Sequence, residues 1–170
     1  SLDAIAAEKA GIFKQDRPAV IGDLPSDVHA VLAGRAREIG ATVFSVGEHA
    51  GVEDIEVSAR GTSCTIELFG ERQRLHTPLA GRHQAYNLAF TLLLLHAAGA
   101  KYRFSLEQAS PHLANIWLPG RFHRVGKHIF DVAHNADGAR VLAETLRAVT
   151  PPRPMRVLFC ALRDKEWKDM

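Results

Sequence analysis

The sequence is poor in several features, and each absence excludes a class of protein. Only 2 of its 170 residues are cysteine, and they lie far apart, so neither a disulfide framework nor a zinc ribbon is expected. No apolar run approaches the roughly 20 residues that a transmembrane helix requires. The 21 basic and 19 acidic residues leave a formal net charge of +2, too balanced to indicate nucleic acid or an anionic membrane as partner. We therefore expect a globular protein of the reducing cytoplasm.

The two cysteines are predicted to be small core residues. Cys64 stands in TSCTIEL and Cys160 in VLFCAL, and both stretches are apolar or β-forming. Free cysteine is among the most buried residue types.

The first part of the chain has a β-α-β rhythm. Residues 2–9 show helical spacing, and residues 19–22 form a short apolar run. Ser26 and Asp27 are candidate caps of a helix that ends before Gly40, and residues 42–46 follow as a second strand. This order predicts two parallel strands joined by a right-handed crossover.

The period then changes to two. Alternating residues at 55–58, 65–69 and 72–76 predict antiparallel hairpins, with turns at Gly61 and at Gly70-Glu71. A long apolar helix is predicted over 86–98, ended by Gly99. Ser105 and Gln108 form a capping box that opens another helix, although Pro111 falls near its first turns.

The segment Leu118-Pro119-Gly120-Arg121 interrupts these patterns. Beyond it we predict a strand pair over 122–125 and 129–132, a helix over 138–149 and a buried strand over 155–160. A further helix is expected to begin at 164–167. One βα unit cannot cover both faces of its sheet, so the chain is expected to be a piece of something longer.

Three stretches carry groups with possible chemistry. Lys9, in EKAGI, is either a solvated side chain at a helix end or a reactive amine. The stretch GRHQAYN, with His83 and Asn87, either caps a helix or holds an anion or a purine edge. Asp131 of DVAHN follows an apolar strand. Either Asp131 and Asn135 only cap the next helix, or Asp131 binds ribose hydroxyls, while Arg121 can hold phosphate oxygens.

These stretches together resemble one family. The motifs IAAEKAGIFK with PAVIG, GRHQAYN, LPGRF and DVAHNADGARVLAETL are similar, in this order, to those of the folylpolyglutamate synthase/dihydrofolate synthase family, a branch of the Mur ligase superfamily. The resemblance covers almost the whole chain, and EKAGI is close to a signature of the folate branch. It implies an α/β fold, namely the latter part of a central ATPase domain (a mixed sheet with antiparallel hairpins and flanking helices) and the opening βα unit of a Rossmann-like C-terminal domain.

The resemblance also implies roles for five residues. The family's enzymes use ATP and Mg²⁺ to join glutamate to dihydropteroate or to folate glutamyl tails through an acyl phosphate. Lys9 matches a catalytic lysine that is carbamylated and helps to organise the magnesium site. Asn87 matches an asparagine on the adenine side of ATP, and Arg121 an interdomain arginine that reaches phosphate. Asp131 matches an ATP-binding aspartate at the ribose or the hinge, and His134 a catalytic histidine.

The family also has parts that these residues lack. The sequence contains no GxxxxGK[ST] phosphate loop, and the family's acidic and histidine magnesium ligands precede EKAGI. The resemblance therefore implies a partial chain, with residues 1–117 in the central domain, 118–121 as interdomain linker and 122–170 opening the C-terminal domain. The implied partners are ATP, glutamate, dihydropteroate or folates, and the missing parts of the same protein; the expected state is a monomer.

Three interpretations of the function follow. The first is a piece of a folate-pathway ligase that is inactive by itself, because most phosphate contacts and magnesium ligands are missing. The second is a Mur-type ligase with another acceptor, against which EKAGI argues. The third is a non-catalytic remnant that binds nucleotide or a partner chain.

Overall fold

The computed structural model describes residues 2–162 and 167–170, and within them it has six α-helices and seven β-strands. Short 3₁₀ turns follow α4 and stand near residue 168. The chain divides into two compact units. The first comprises residues up to 53, 65–74 and 86–109; the second comprises 54–64, 75–85 and those from 110 onward. The elements are α1 (Leu2–Ala10), β1 (Ala19–Ile21), α2 (Ser26–Glu38), β2 (Val43–Ser45), α3 (Val46–His49), β3 (Ala50–Ser58), β4 (Gly61–Leu68), β5 (Glu71–Thr77), α4 (Arg82–Ala97), α5 (Leu106–Leu113), β6 (His123–Val125), β7 (His128–Phe130) and α6 (Ala136–Val149).

The parallel strand pair predicted near the start of the chain is confirmed. Strands β1 and β2 pair in parallel, with Ala19 opposite Val43 and Ile21 opposite Ser45. Helix α2 begins directly after Pro25, so Ser26 is not the N-cap that the sequence predicted. The Asp27 carboxylate accepts one N–H of the first turn, that of Val28, at 2.8 Å. Buried residues form two core clusters here, one of Ala6, Ala10, Ile21, Leu32 and Ala33 and another of Ala19, Ala36 and Ala41. The alanines among them let the helices and strands approach closely.

Strands β3, β4 and β5 form a three-stranded sheet in that order. The two-residue connections between consecutive strands are those of hairpins, since parallel strands need a far longer crossover. The second turn lies at Phe69-Gly70 rather than at Gly70-Glu71, with φ values of 49° and 84°. Two left-handed residues make the kind of turn whose twist matches a hairpin. Phe69 stacks on His96 with ring centroids 4.0 Å apart, which fixes this bulky residue in an unusual backbone conformation.

Helices α4 and α5 differ from expectation mainly at their beginnings. Helix α4 begins at Arg82, four residues before the predicted position. The capping box of α5 is confirmed: the Ser105 hydroxyl accepts the Gln108 amide N–H at 3.1 Å, and the Gln108 side chain accepts the Ser105 amide N–H at 2.9 Å. Pro111 lies inside this short helix.

The second half contains the expected hairpin and helix but not the expected strand. Strands β6 and β7 pair antiparallel, and α6 begins two residues before the predicted start. Residues 155–160 form no strand, and no strand among the described residues pairs with them. Leu158 is fully exposed and Cys160 is exposed, so the buried strand and the burial of Cys160 are wrong, whereas Cys64 is buried. An apolar run specifies a strand's propensity, but a strand also needs a partner for its backbone hydrogen bonds.

No helix among the described residues is long and apolar enough to cross a membrane. The helix predicted to begin at 164–167 falls largely on residues 163–166, which lie outside the described part; Trp167–Asp169 forms a 3₁₀ turn.

Candidate functional site

The LPGR and DVAHN motifs fold together into one junction in the second unit. The two carboxylate oxygens of Asp131 accept separate backbone N–H groups, that of Phe122 at 2.8 Å and that of Ala133 at 2.9 Å. The Val132 N–H donates to the Gly120 carbonyl at 2.9 Å. These three hydrogen bonds join the chain before β6 to the chain after β7. Asp131 therefore has a positioning role that neither of the two sequence interpretations contained.

The backbone conformation of this junction requires glycine at one position. Gly120 has φ of 72°, and a Cβ there would lie 2.6 Å from Cγ1 of Val132. The next residue but one, Phe122, also has a positive φ and is buried. Between them stands Arg121, which is exposed. The two neighbours are fixed by packing, so the guanidinium of Arg121 extends from a well-defined point of the backbone.

The residues after Asp131 lead directly into α6. The His134 Nδ1 donates to the Val132 carbonyl at 3.1 Å, which places a proton on Nδ1 and leaves Nε2 of this exposed ring as the acceptor. The Asn135 side chain accepts the Gly138 N–H at 2.7 Å and caps α6. Helix capping thus falls to Asn135, as the first interpretation of DVAHN expected, and not to Asp131.

A buried threonine fixes the GRHQ segment at the start of α4. Thr62 is fully buried, and its hydroxyl donates to the Gly81 carbonyl at 3.1 Å while accepting the Gly81 N–H at 3.0 Å. Gly81 has φ of 128°, and a Cβ there would lie 2.4 Å from His83 Cε1 and 2.9 Å from Thr145 Oγ1. The first turn of α4 and the helix α6 are therefore in close contact at this glycine.

His83 lies beside an open groove of about 390 Å³ in the same unit. Its Nε2 contacts the Gln84 amide nitrogen at 2.9 Å. Burial lowers the pKa of the imidazole below the 6.5 of a free histidine; the charge of Asp131 raises this pKa, that of Arg121 lowers it and that of Glu144 raises it. The charges of Arg121 and Asp131, the two residues of this unit predicted to bind nucleotide, thus act on the His83 ring. The groove is lined by Ile55, Val57, Arg82, Val141, Glu144, Thr145 and Ala148 as well as His83.

Lys9 and Asn87 belong to the first unit. Lys9 is exposed in the last turn of α1, which ends in 3₁₀-type bonds: its carbonyl accepts the Ile12 N–H at 3.3 Å. Asn87 is exposed in the second turn of α4, and its carbonyl accepts the Thr91 hydroxyl at 2.8 Å. Within the second unit, by contrast, Arg121, Asp131 and His134 lie on one short junction.

The residues differ in how well they fit the cofactors that the sequence suggested. Arg121 offers an exposed cation and Asp131 a carboxylate held by two backbone amides, which suits the phosphates and hydroxyls of a nucleotide. Among the described residues no three histidine, cysteine, aspartate or glutamate side chains come together as a metal site. The side chain of Lys9 is exposed. These residues therefore do not by themselves make a magnesium site.

Sequence reasoning missed Thr62 and underrated His83. Thr62 occupies an ordinary strand position in a period-two pattern, and its clamp on Gly81 spans 19 residues of sequence. His83 was indistinguishable from a structural histidine. The one available signal was its place two residues after Gly81 in the first turn of a helix, where a glycine permits close packing.

Comparison with known proteins gives a consistent result. The Mur ligase middle domain family matches residues 1–95. The chain is 27% identical to the dihydrofolate synthase/folylpolyglutamate synthase of Bacillus subtilis, over all of this chain and 41% of that protein. It is 30% identical to a UDP-N-acetylmuramoyl-L-alanyl-D-glutamate–2,6-diaminopimelate ligase of Caulobacter vibrioides, over 88% of this chain and 33% of the relative.

Solved structures agree with the sequence relatives. The folylpolyglutamate synthase of Mycobacterium tuberculosis complexed with ADP matches with a TM-score of 0.75 and 28% identity, over 86% of this chain and 34% of that one. An FPGS–AMPPCP–folate complex matches with a TM-score of 0.78 and 28% identity, over 86% and 37%. The chain thus spans about two fifths of these relatives or less. The α/β fold and the family recognised from the motifs are confirmed, and the chain belongs to the Mur ligase family.

Proposed function

We propose that the chain is part of an ATP-dependent amide ligase that joins L-glutamate to dihydropteroate or to the glutamyl tail of folates through an acyl phosphate. The observation that carries this proposal is the LPGR–DVAHN junction. There Arg121 is exposed, and the N–H of the next residue, Phe122, donates to the carboxylate of Asp131. The same carboxylate also accepts the Ala133 N–H. The match to folylpolyglutamate synthases, including one complexed with AMPPCP and folate, supports the choice of substrates.

The proposed nucleotide contacts follow from the chemistry of the side chains. Arg121 binds phosphate oxygens, for which a planar guanidinium offers paired N–H donors. Asp131 binds ribose hydroxyls, because a carboxylate that accepts two backbone N–H groups still has lone pairs to accept more. Asn87 offers an amide to the adenine edge. When bound, ATP supplies the phosphoryl group that activates the acceptor carboxylate.

Two further residues have less specific support. We propose that His134, with Nε2 of its exposed ring available, acts on a proton of the reacting groups. We assign Lys9 to the magnesium site as a carbamylated lysine, on its match to the family motif alone. Since the described residues do not make a metal site, no step of the reaction is derived through the ion.

The same proposal covers the organisation of the chain. We place residues 1–117 in a central ATP-binding domain, 118–121 in the linker and 122–170 at the beginning of a C-terminal domain. The parent protein is proposed to be a cytoplasmic monomer, in keeping with two cysteines that form no disulfide. The 170 residues alone are proposed to lack ligase activity, because they contain no phosphate loop.

Nucleotide binding tests the junction directly. Titration of the 170-residue chain with a fluorescent ATP analogue is expected to show saturable binding. The Arg121→Gln variant should bind about 10- to 100-fold more weakly, since hydrogen bonds to charged groups are worth ~1.5–3 kcal/mol. Lys127→Gln, which removes another exposed cation from the β6–β7 turn, should bind like the unaltered chain. Equal affinity of both variants would remove Arg121 from the site.

A second acceptor class is favoured by one observation, the similarity to the Caulobacter peptide ligase. Phosphate release by the parent enzyme should be measured with ATP and glutamate plus dihydropteroate or a folate, and separately with ATP, diaminopimelate and the UDP-muramoyl dipeptide. Release only with the pterin or folate acceptor is the expected result. The 170-residue chain should release no phosphate in either mixture, and turnover by it would contradict the proposed inactivity.

A further inference from the structure

His83 has an arrangement of hydrogen bonds that suits only the neutral ring. An amide nitrogen can donate but not accept, so Nε2 of His83 must accept the hydrogen bond from the Gln84 amide at 2.9 Å. The ring proton of the neutral form therefore sits on Nδ1. That atom is buried, with no hydrogen-bond partner among the described residues. A second proton would have to go to Nε2, where it would face another donor.

The same ring and helix α6 both lie close to Gly81, in the second unit. A Cβ at Gly81 would come within 2.4 Å of the His83 ring and within 2.9 Å of the Thr145 hydroxyl, so the segment before α4, the ring and α6 leave no spare room. Thr145 is itself buried on α6. Helix α6 continues directly from the capping residue Asn135, four residues after Asp131. Displacement of the ring would therefore disturb helix α6, which begins at the LPGR–DVAHN junction.

The charges around the ring oppose one another. The carboxylates of Asp131 and Glu144 favour a protonated ring, whereas Arg121 disfavours it. A further cation, Arg82, lines the same groove. Burial outweighs the net attraction and keeps the pKa of His83 below 6.5. The carboxylate of Glu144 also accepts a hydrogen bond from the guanidinium of Arg140 at 3.0 Å. This ion pair compensates part of the negative charge of Glu144.

We propose that neutral His83 is a positioning residue for the nucleotide contacts of Arg121 and Asp131, because it holds the first turn of α4 against α6. The inference rests on the proposed function, in which those two residues bind the nucleotide. A protonated ring leaves its packed position, α6 loosens at Thr145, and the junction at the start of α6 loses its fixed geometry. Only the fraction of molecules with a neutral ring then binds nucleotide well.

The test is the pH dependence of nucleotide affinity. Binding of the fluorescent ATP analogue should be measured from pH 8 to pH 5 for the 170-residue chain and for His83→Gln, His83→Asn and His128→Gln. The dissociation constant of the unaltered chain should rise about tenfold per pH unit below the pKa of the ring, as the neutral fraction falls. At least one of the His83 variants should bind at pH 8 and show no such rise. His128→Gln, which alters an exposed histidine of β7, should keep it.

Several outcomes would overturn the inference. Affinity that is flat with pH, or a His83 variant that keeps the acid-induced loss, shows that His83 is not the group responsible. If the unaltered chain binds at pH 8 and neither His83 variant does, NMR titration of the His83 ring tests the inference instead. The pKa of the ring should rise in Arg121→Gln and fall in Asp131→Asn. The same pKa in the unaltered chain and in both variants overturns the coupling. Absence of binding by the unaltered chain at pH 8 overturns the nucleotide site itself, and the inference with it.

Discussion

The hydroxyl of Thr62 offers the sharpest test of how the start of α4 is held. It is fully buried and makes two hydrogen bonds to one residue, donating to the Gly81 carbonyl and accepting the Gly81 N–H. The substitution Thr62→Val keeps the branched shape of the side chain and removes both bonds. We expect it to destabilise the fold and to loosen the segment that carries His83.

The size of the effect follows from what each Gly81 group retains. The carbonyl still accepts the Gln84 N–H at 2.9 Å, so it stays satisfied. The Gly81 N–H loses the acceptor that the Thr62 hydroxyl provides. An orphaned buried donor costs about 1–3 kcal/mol, and the lost carbonyl bond adds about 0.5–1.5 kcal/mol. With a partial offset from the added methyl group, the free energy of unfolding should fall by roughly 2–3 kcal/mol.

Urea unfolding monitored by circular dichroism measures this change, with the slope against urea expected to stay constant. Thr62→Ser keeps the hydroxyl and should cost only about 1 kcal/mol for the lost methyl group. Thr91→Val alters an exposed hydroxyl that bonds within α4 and should change stability by less than about 0.5 kcal/mol. A Thr62→Val protein as stable as the unaltered one, with a Gly81 amide that exchanges no faster, would refute the reasoning.

Three further predictions use the same unit. Asn135→Ala removes the N-cap of α6 and should lower the unfolding free energy by about 1 kcal/mol in urea titration. Gly120→Ala adds a clash with Val132 to backbone strain and should cost about 2–4 kcal/mol, partly recovered by Val132→Ala, whereas Gly126→Ala, with open space around it, should cost only about 1 kcal/mol. Because burial sets the pKa of His83 below 6.5, the unfolded chain binds more protons than the folded one in this pH range. Stability should therefore fall as pH drops from 6.5 through the folded-state pKa. The fall is measured as a lower urea midpoint, and it should be smaller in His83→Gln.

Local sequence signals predicted the elements well where the interaction was local. The Ser105–Gln108 capping box formed because both partners lie within one turn of helix. The hairpin turn shifted by one residue, to Phe69-Gly70, because the stacking of Phe69 on His96 lies outside the turn sequence. The apolar segment around Leu158 does not form the predicted buried strand, because an apolar pattern does not specify a hydrogen-bonding partner.

The candidate site divides in the same way. Its motifs could be predicted from the sequence, because LPGRF and DVAHN are contiguous stretches whose residue types are chemically distinctive. Their arrangement in space could not be predicted. The two amide contacts of Asp131 and the close approach of Gly120 to Val132 join residues on either side of the β6–β7 hairpin.

The sequence by itself determined the family, the α/β class and the identities of the proposed ligand-binding residues, since these depend on short-range order and on side-chain chemistry. The tertiary structure alone decided that Thr62 clamps Gly81, that the first turn of α4 comes close to α6 at Gly81, and that Asp131 organises the backbone around Arg121. Each of these depends on atoms brought together from distant positions, where burial and hydrogen-bond geometry, rather than residue type, set the energy.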